Sequence, residues 1–263
     1  MPTSFTHLNL HTEFSIIDGL VRIDPLMDAI VARGMNTVAV TDFCNLFAVV
    51  KFFQAALAKG VKPIIGCELP CHDPLRPDEV STLIVLCQNN TGYRTLTRLV
   101  SKAYLEGQYQ GQPRVRLSWI PEHTDGLIVL SGGREGLIGK ALLREDEKIA
   151  HALAKEYSHL FPNRFYLEIQ RTGRQGELLY NERVVRLAET LNLPLVVTNA
   201  VRFLDPEDFD AHEARVCIHE GYALSDPRRN RHYSEEQYLR AGAEMAELFH
   251  DLPEAVANTV AIG

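Results

Sequence analysis

The sequence predicts a single α/β domain built around either a parallel barrel or a doubly wound sheet. Seven short apolar runs alternate with amphipathic stretches along the 263 residues, and repeated strand-helix-strand units of this kind indicate a parallel sheet. A hydrophobic content of 46% and a charged content of 23% are ordinary for a globular protein. Neither an internal repeat nor a low-complexity linker divides the chain, so we expect one domain.

The predicted strands are runs rich in apolar and β-branched residues, most of them bounded by turn-forming residues. They are THLNL (6–10), NTVAVT (36–41), KPIIGCEL (62–69), STLIVLC (81–87), GLIVLS (126–131), FYLEI (165–169) and PLVVTN (194–199).

Helices are predicted between these strands from apolar residues at helical spacing. Asp24 and Pro25 mark the start of the first and Gly34 its end, and Thr91 is the expected N-cap of the third. The other predicted helices cover about 48–59, 145–159, 175–192, 206–219 and 234–249, and a last one begins in PEAVANTVAIG. From Pro206 onward no further strand is expected, and we expect this tail to pack outside the barrel or across one end.

Charge and cysteine content limit the possible partners and compartment. A net charge of -7 and a pI near 5.8 argue against a domain that grips nucleic acid by itself. The five cysteines lack the spacing of a disulfide framework, which fits a reducing compartment. The N-terminus has no signal-peptide pattern, and no apolar run approaches the roughly 18 residues of a membrane span. We therefore expect a cytoplasmic protein with no membrane contact.

Candidate functional residues lie where the predicted strands end, because the sites of parallel barrels form there. The residues at or just after strand ends are Asn9, His11, Asp18, Asp42, Phe43, Glu68, Thr82, Gly133, Ala200 and Arg202. Three of them, His11, Asp18 and Glu68, are possible metal ligands. Taken singly, His11 is more often a satisfied polar residue in a cleft, and Asp18 before a glycine is more often a turn residue. Glu68 is the most suggestive, because a carboxylate that ends an apolar strand needs a partner.

Several segments resemble one family closely. HLNLHTEFSIIDGL, VTDFCNLFAVVKFF, GVKPIIGCEL, GLIVLSGGREG and LPLVVTNAVRF, in this order, are similar to the polymerase and histidinol phosphatase (PHP) domain of replicative bacterial DNA polymerase III alpha subunits. The resemblance covers essentially the whole chain. It implies a distorted seven-stranded (β/α) barrel of the PHP type. It also implies that residues 1–263 form one PHP domain, the N-terminal part of a much longer polymerase chain.

The resemblance further implies where metal ligands would lie, since metal-binding members hold a metal cluster at these strand ends. Three of the nine ligand positions are intact, at His11, Asp18 and Glu68. The other six positions hold Asn9, Phe43, Thr82, Gly133, Ala200 and Arg202. Phe43, Gly133 and Ala200 have no side-chain donor, whereas each metal ion needs several N, O or S ligands. We therefore expect a vestigial cleft without a metal or other cofactor.

Arg202 is the most informative of these replacements. A guanidinium about 4 Å from a divalent ion would be repelled by roughly 8 kcal/mol at an effective dielectric constant near 20, twice the unit-charge value. The same arginine could instead pair with Asp18 or Glu68 and take the place of the metal.

Three functions follow from the resemblance and the altered positions. The first is a catalytically silent domain that supports the polymerase body, docks the proofreading exonuclease subunit, and meets DNA only through the parent DNA-directed DNA polymerase. The alternative is a residual metal-dependent phosphoesterase, either a 3'-5' exonuclease or a pyrophosphatase, that uses His11, Asp18 and Glu68. The third is a stand-alone small-molecule phosphatase. Because six ligand positions have changed, the sequence favours the silent domain.

Overall fold

A computed structural model describes residues 4–73, 76–122 and 124–263, in which a curled mixed sheet is surrounded by helices. The strands are β1 (Thr37–Val40), β2 (Lys62–His72), β3 (Val80–Cys87), β4 (Gln108–Tyr109), β5 (Gln112–Pro113), β6 (Val115–Arg116), β7 (Leu127–Leu130), β8 (Phe165–Ile169) and β9 (Leu195–Val197). The helices are α1 (Ile23–Ala32), α2 (Val49–Ala58), α3 (Asn90–Glu106), α4 (Leu137–Leu143), α5 (Glu147–Leu160), α6 (Glu177–Leu191), α7 (Phe209–Glu220), α8 (Gly242–Leu248) and α9 (Pro253–Ile262).

The main sheet has the order β1-β2-β3-β7-β8-β9, and β6 pairs with the end of β2. Residues 7–11 join its two edges. The Ala39 amide of β1 donates to the His7 carbonyl oxygen at 2.8 Å, and the His11 amide donates to the Val201 carbonyl oxygen beyond β9 at 2.9 Å. The predicted α/β barrel class is confirmed, but the first predicted strand, 6–10, contributes isolated bridges rather than a continuous strand.

The prediction of a fully parallel sheet was wrong. β3 runs antiparallel to both of its neighbours, β2 and β7, whereas the other pairs of the main sheet are parallel. Only residues 73–79 separate β2 from β3. A parallel connection needs a crossover of about a dozen residues or more, so this short segment forces a reversal of direction.

Most of the remaining elements lie where the sequence predicts them, and the differences have local causes. α4 was not predicted, and β2 continues three residues beyond its predicted end. The predicted helix 234–249 is reduced to α8 because the preceding residues pair with the chain after β9. There the Arg202 amide donates to the Gln237 carbonyl oxygen at 2.9 Å and Phe203 bridges Tyr238. Tertiary pairing thus replaces the helix that the local pattern favours.

Two apolar clusters fill the fold on opposite faces of the sheet. The larger lies between the sheet and the surrounding helices. The smaller is enclosed by the curled sheet and takes side chains from several strands and from the N-terminal segment. Its members are Leu8, Ala39, Ile64, Ile84, Leu86, Leu130 and Val196. Ile262 of α9 packs against this inner cluster, so part of the tail covers the barrel as expected.

No helix among the described residues is both long enough and apolar enough to span a bilayer. All five cysteines are free thiols, and four of them are buried.

The N-cap of α3 is Asn89 rather than the predicted Thr91. The Asn89 side chain accepts hydrogen bonds from the amides of Thr91 and Gly92 at 2.9 and 3.1 Å. Asn89→Ala should therefore lower the free energy of unfolding by about 1 kcal/mol, the usual contribution of such a cap. Urea denaturation followed by circular dichroism measures this change.

Thr91→Ala is the matched control, because Thr91 contributes a backbone amide that any residue except proline supplies. Its effect should stay within about 0.5 kcal/mol. A larger loss for Thr91→Ala than for Asn89→Ala would contradict the assignment of the cap.

Candidate functional site

His11 lies between two carboxylates at the edge of the sheet where the parallel strands end. Its Nδ1 is 2.7 Å from Oδ1 of Asp18, and its Nε2 is 2.9 Å from Oε2 of Glu68. The exposed fractions of His11, Asp18 and Glu68 are 1%, 6% and 8%. Because both ring nitrogens face carboxylate oxygens, both donate, and the imidazole is held as the protonated cation.

Arg202 completes this arrangement from beyond the end of β9. Its Nε donates to Oδ2 of Asp18 at 2.8 Å, and its Nη2 donates to Oε2 of Glu68 at 3.3 Å. A single guanidinium therefore bridges the two carboxylates that flank His11. His11, Asp18, Glu68 and Arg202 together form what we call the ion-pair cluster. Its two cations and two anions sum to zero charge.

Mutual pairing sets the protonation of the cluster. Burial and the Arg202 charge oppose protonation of His11, but the two carboxylates outweigh them and raise the pKa of His11 to about 9. Burial alone would raise the pKa of Asp18 and of Glu68, yet His11 and Arg202 hold both values below their usual range. Burial would lower the pKa of Arg202, but the carboxylates raise it. All four groups are therefore charged at neutral pH.

Asn9 links the ion-pair cluster to a second buried carboxyl group. Its Oδ1 accepts from Nη1 of Arg202 at 3.2 Å, and its Nδ2 donates to Oε1 of Glu168 at 3.0 Å. The same Glu168 oxygen accepts from Nε2 of Gln170 at 3.0 Å and from Oγ1 of Thr198 at 2.5 Å. Burial raises the pKa of Glu168, which disfavours a further negative charge beside Glu68.

The loop that carries Asp18 is held at its start by Asp42. The Asp42 carboxylate accepts from the amide and hydroxyl of Thr12 at 2.7 and 2.8 Å, and from the Ser15 hydroxyl at 2.7 Å. Asp42 is itself almost fully buried. Its side chain therefore positions the loop, and its backbone carbonyl oxygen accepts from the Glu68 amide at 3.2 Å.

Residues of the tail hold the same loop from the opposite side. The Tyr233 hydroxyl donates to Oδ2 of Asp18 at 3.1 Å, and Nε2 of His212 donates to the Asp18 backbone oxygen at 2.9 Å. Burial is the main reason that the pKa of His212 falls to about 4, so this imidazole is neutral. The tail thus covers Asp18 rather than leaving it open to solvent.

The four remaining candidate residues lie around the cluster. Phe43 bridges Glu68 through the backbone, and Thr82 lies near the start of β3, because that strand runs antiparallel. Gly133 and Ala200 both have left-handed backbone conformations, with φ of 57° and 44°. The structure thus joins Asn9, His11, Asp18, Glu68 and Arg202 through side-chain hydrogen bonds, whereas Phe43, Gly133 and Ala200 have no polar side-chain atom to add.

A tight turn follows β7 at Gly132 and Gly133. Gly132 has φ of 79°, and a Cβ atom there would lie 2.2 Å from the Thr82 carbonyl oxygen. Only glycine allows this approach of the turn to β3.

A metal centre does not fit these residues. Both His11 nitrogens already face carboxylates, and the Arg202 guanidinium contacts the two anions that a metal ion would need. Across residues 4–73, 76–122 and 124–263, no group of three or more His, Cys, Asp or Glu side chains is arranged to hold a metal ion. The cations that neutralise Asp18 and Glu68 are His11 and Arg202 of the chain itself.

Sequence reasoning missed Glu168 and Tyr233. A signal for Glu168 existed, because a carboxylate flanked by apolar residues inside FYLEI predicts a buried group that needs partners. Tyr233 has no local signal. It lies 215 residues from Asp18 along the chain, and only the folded tail brings the two together.

Comparison with known proteins assigns the class of this domain. The PHP domain family matches residues 7–172. The chain therefore belongs to the PHP domain family, in agreement with the resemblance seen in its motifs.

The relatives with similar sequences are replication proteins. The chain is 50% identical over 262 residues to DNA polymerase III subunit alpha of Pseudomonas aeruginosa. The aligned region covers 100% of this chain and 22% of the relative. It is 48% identical over 258 residues to DNA polymerase III subunit alpha of Escherichia coli K12, covering 98% of this chain and 22% of the relative. The chain thus spans about a fifth of the length of these relatives.

A solved structure supports the fold alone. A proposed metal-dependent phosphoesterase from Bifidobacterium adolescentis superimposes with a TM-score of 0.52 at 12% identity, covering 76% of this chain and 88% of that one.

Arg202→Ala should destabilise the protein by roughly 3 to 5 kcal/mol, because it leaves Asp18 and Glu68 buried with one cation fewer than the cluster needs. The free energy of unfolding, measured in urea at pH 7, gives the change. Arg22→Ala is the matched control. Its contact with Glu13, at 3.8 Å, is exposed to solvent and should contribute about 1 kcal/mol or less. Equal effects of the two substitutions would mean that the cluster is not a stabilising element.

Stability should fall as the pH rises from about 6.5 to about 9. The folded-state pKa of His11, about 9, exceeds the unfolded value of 6.5, so native His11 retains a proton that the unfolded chain has lost. The stabilisation is fully present below pH 6.5 and disappears as the pH passes through about 9. Urea denaturation at pH 6, 7.5 and 9 measures this slope.

His11→Gln is the control, because glutamine does not titrate in this range. Its free energy of unfolding should vary less between pH 6 and pH 9 than that of the wild type. Parallel pH dependences of the two proteins would show that His11 is not the titrating group. At the acid end, the lowered pKa values of Asp18 and Glu68 give a stabilisation that is lost as the pH falls through them.

Proposed function

We propose that this chain is a catalytically silent PHP domain of a bacterial DNA polymerase III alpha subunit, with a structural and protein-binding role. The observation that carries the proposal is the position of Arg202, whose guanidinium bridges Asp18 and Glu68. A PHP hydrolase needs these two carboxylates for its metal ions. Here two side chains of the protein, Arg202 and protonated His11, neutralise them.

Three further features support the loss of hydrolysis. His11 has no free ring nitrogen for a metal ion. Phe43, Gly133 and Ala200 supply no donor atoms. Tyr233 and His212 contact the Asp18 side from the tail, so a phosphoester substrate would have to displace packed residues. The ion-pair cluster therefore favours a stability role over catalysis.

The proposed partners are the rest of such a polymerase chain and the proofreading exonuclease subunit. The sequence similarity to DNA polymerase III alpha subunits supports the first of these. DNA would be contacted through the parent polymerase, since the net charge of -7 disfavours phosphate binding by this domain. The bacterial cytoplasm is the proposed compartment.

The purified chain should contain no stoichiometric metal, and chelation should leave its melting temperature unchanged, because a metal bound only by the native state would stabilise it. Neither Zn²⁺ nor Mn²⁺ should produce hydrolysis of a 3'-labelled oligonucleotide or of pyrophosphate. A full-length alpha chain that carries this domain should capture the exonuclease subunit equally well with and without chelator. Elemental analysis, melting curves, hydrolysis assays and capture measure these outcomes.

Asn9→His is the matched variant, since it restores one ligand position and leaves five altered. It should still bind no metal. Metal uptake by Asn9→His, or a chelator-induced fall in the wild-type melting temperature, would favour the residual phosphoesterase instead. Failure of the full-length chain to capture the exonuclease would remove the docking role while leaving the catalytic silence intact.

A further inference from the structure

α2 carries large apolar side chains on two adjacent faces, the second rotated by about 100° from the first. Its buried face packs Val49, Phe52 and Ala56 against the barrel. Three large side chains on its other face are exposed, and so is Phe47, two positions before the helix. We call these four residues the α2 apolar face. Its members are Phe47, Val50, Phe53 and Leu57, with exposed fractions of 65%, 67%, 43% and 58%.

The spacing of these residues places them on one stripe. Separations of three, three and four positions return to the same side of an α-helix. Within VVKFFQAALA only Lys51 and Gln54 are polar. The apolar surface of α2 therefore extends beyond the side that packs against the barrel.

Among the residues that the structure describes, the other strongly exposed aliphatic side chains are spread over several elements. The outer face of α5 carries Lys148, Lys155 and Glu156, as expected for a helix that faces water. Leu105, Leu178 and Ile218 are strongly exposed, but they lie on three different helices. Scattered apolar residues are ordinary on a protein surface, whereas a continuous apolar stripe marks an interaction site.

We propose that the α2 apolar face is the surface against which the remainder of a DNA polymerase III alpha chain packs on this domain. The inference rests on the proposed function, since it names the partner of the structural role. The relatives have 78% of their residues (100% less the 22% matched) outside the region that this chain covers. Interfaces between domains of one chain typically bury about 600 to 1,500 Å².

A covalently linked partner fits this face better than a dissociating one. A linked domain is present at a high effective concentration, so the face stays covered most of the time. A separate subunit would leave Phe47, Val50 and Leu57 in water whenever it dissociates, and an apolar patch of this kind promotes aggregation.

Thiol labelling of Val50→Cys tests the proposal in the 263-residue chain and in a full-length alpha chain that carries it. Native thiols interfere little, because burial raises the pKa of Cys44, Cys71 and Cys87 to about 12. Each labelling rate is normalised to the labelling rate of the same protein in denaturant. Labelling should be about tenfold slower in the full-length chain, as for a surface that opens about a tenth of the time. Lys155→Cys, on the charged face of α5, should label at the same relative rate in both proteins.

Equal rates for Val50→Cys in the two proteins would overturn the proposal. So would protection of the full-length chain only after the exonuclease subunit is added, since the occupant would then be a separate protein. A dimer of the 263-residue chain that Val50→Asp dissociates, combined with rapid labelling of the full-length chain, would overturn it in favour of a second copy. Metal uptake or phosphoester hydrolysis would instead refute the catalytic silence and leave the labelling result unchanged.

A second variant tests the same face through stability. Val50→Asp combined with Leu57→Asp should lower the melting temperature of the full-length chain and increase the release of this domain by limited proteolysis. The 263-residue chain should melt as before, because these side chains are exposed in it. Leu105→Asp is the matched control and should change neither protein. An unchanged melt and unchanged proteolysis of the full-length double variant would contradict the proposal.

Discussion

Charge neutrality inside the barrel is the constraint on which the rest of this structure depends. Asp18 and Glu68 are buried and ionised, and each buried charge costs several kcal/mol in lost hydration unless it is paired. His11 and Arg202 supply two opposing charges at hydrogen-bonding distance. Removal of any one member leaves an unpaired ion, so four residues from distant parts of the chain must fold together.

The residues around the ion-pair cluster hold its members in position. Asp42 holds the loop before Asp18, and Asn9 connects Arg202 with Glu168, whose pKa is raised by burial. A raised pKa at Glu168 is consistent with the balance of the cluster, because a third anion would have no matching cation. Under the proposed function, a guanidinium fixed to the backbone replaces exchangeable metal ions, and the former reaction centre becomes part of the stable core.

The inside and the outside of the domain then have different roles. The end of the barrel that forms the active site of a PHP hydrolase is occupied by the ion-pair cluster and covered by Tyr233 and His212. Large apolar side chains are exposed to solvent on the outer side of α2. Under the proposed function, this distribution fits a domain that contributes an interface to a larger protein, because apolar side chains are exposed on α2 whereas the cluster end of the barrel is filled.

The sequence by itself determined the strand and helix positions with strong periodicity, such as β3, β8, α2 and α6, because local hydrophobic patterns are enough to specify them. The resemblance of its motifs to the PHP family implied the ligand positions, including that of Arg202, and residue type alone shows which of these positions lack a metal donor. Only the tertiary structure decided that β3 is antiparallel and that residues 234–241 do not form a helix. It also decided that Arg202 contacts both Asp18 and Glu68. These outcomes depend on contacts between residues up to about two hundred positions apart, which no local pattern encodes.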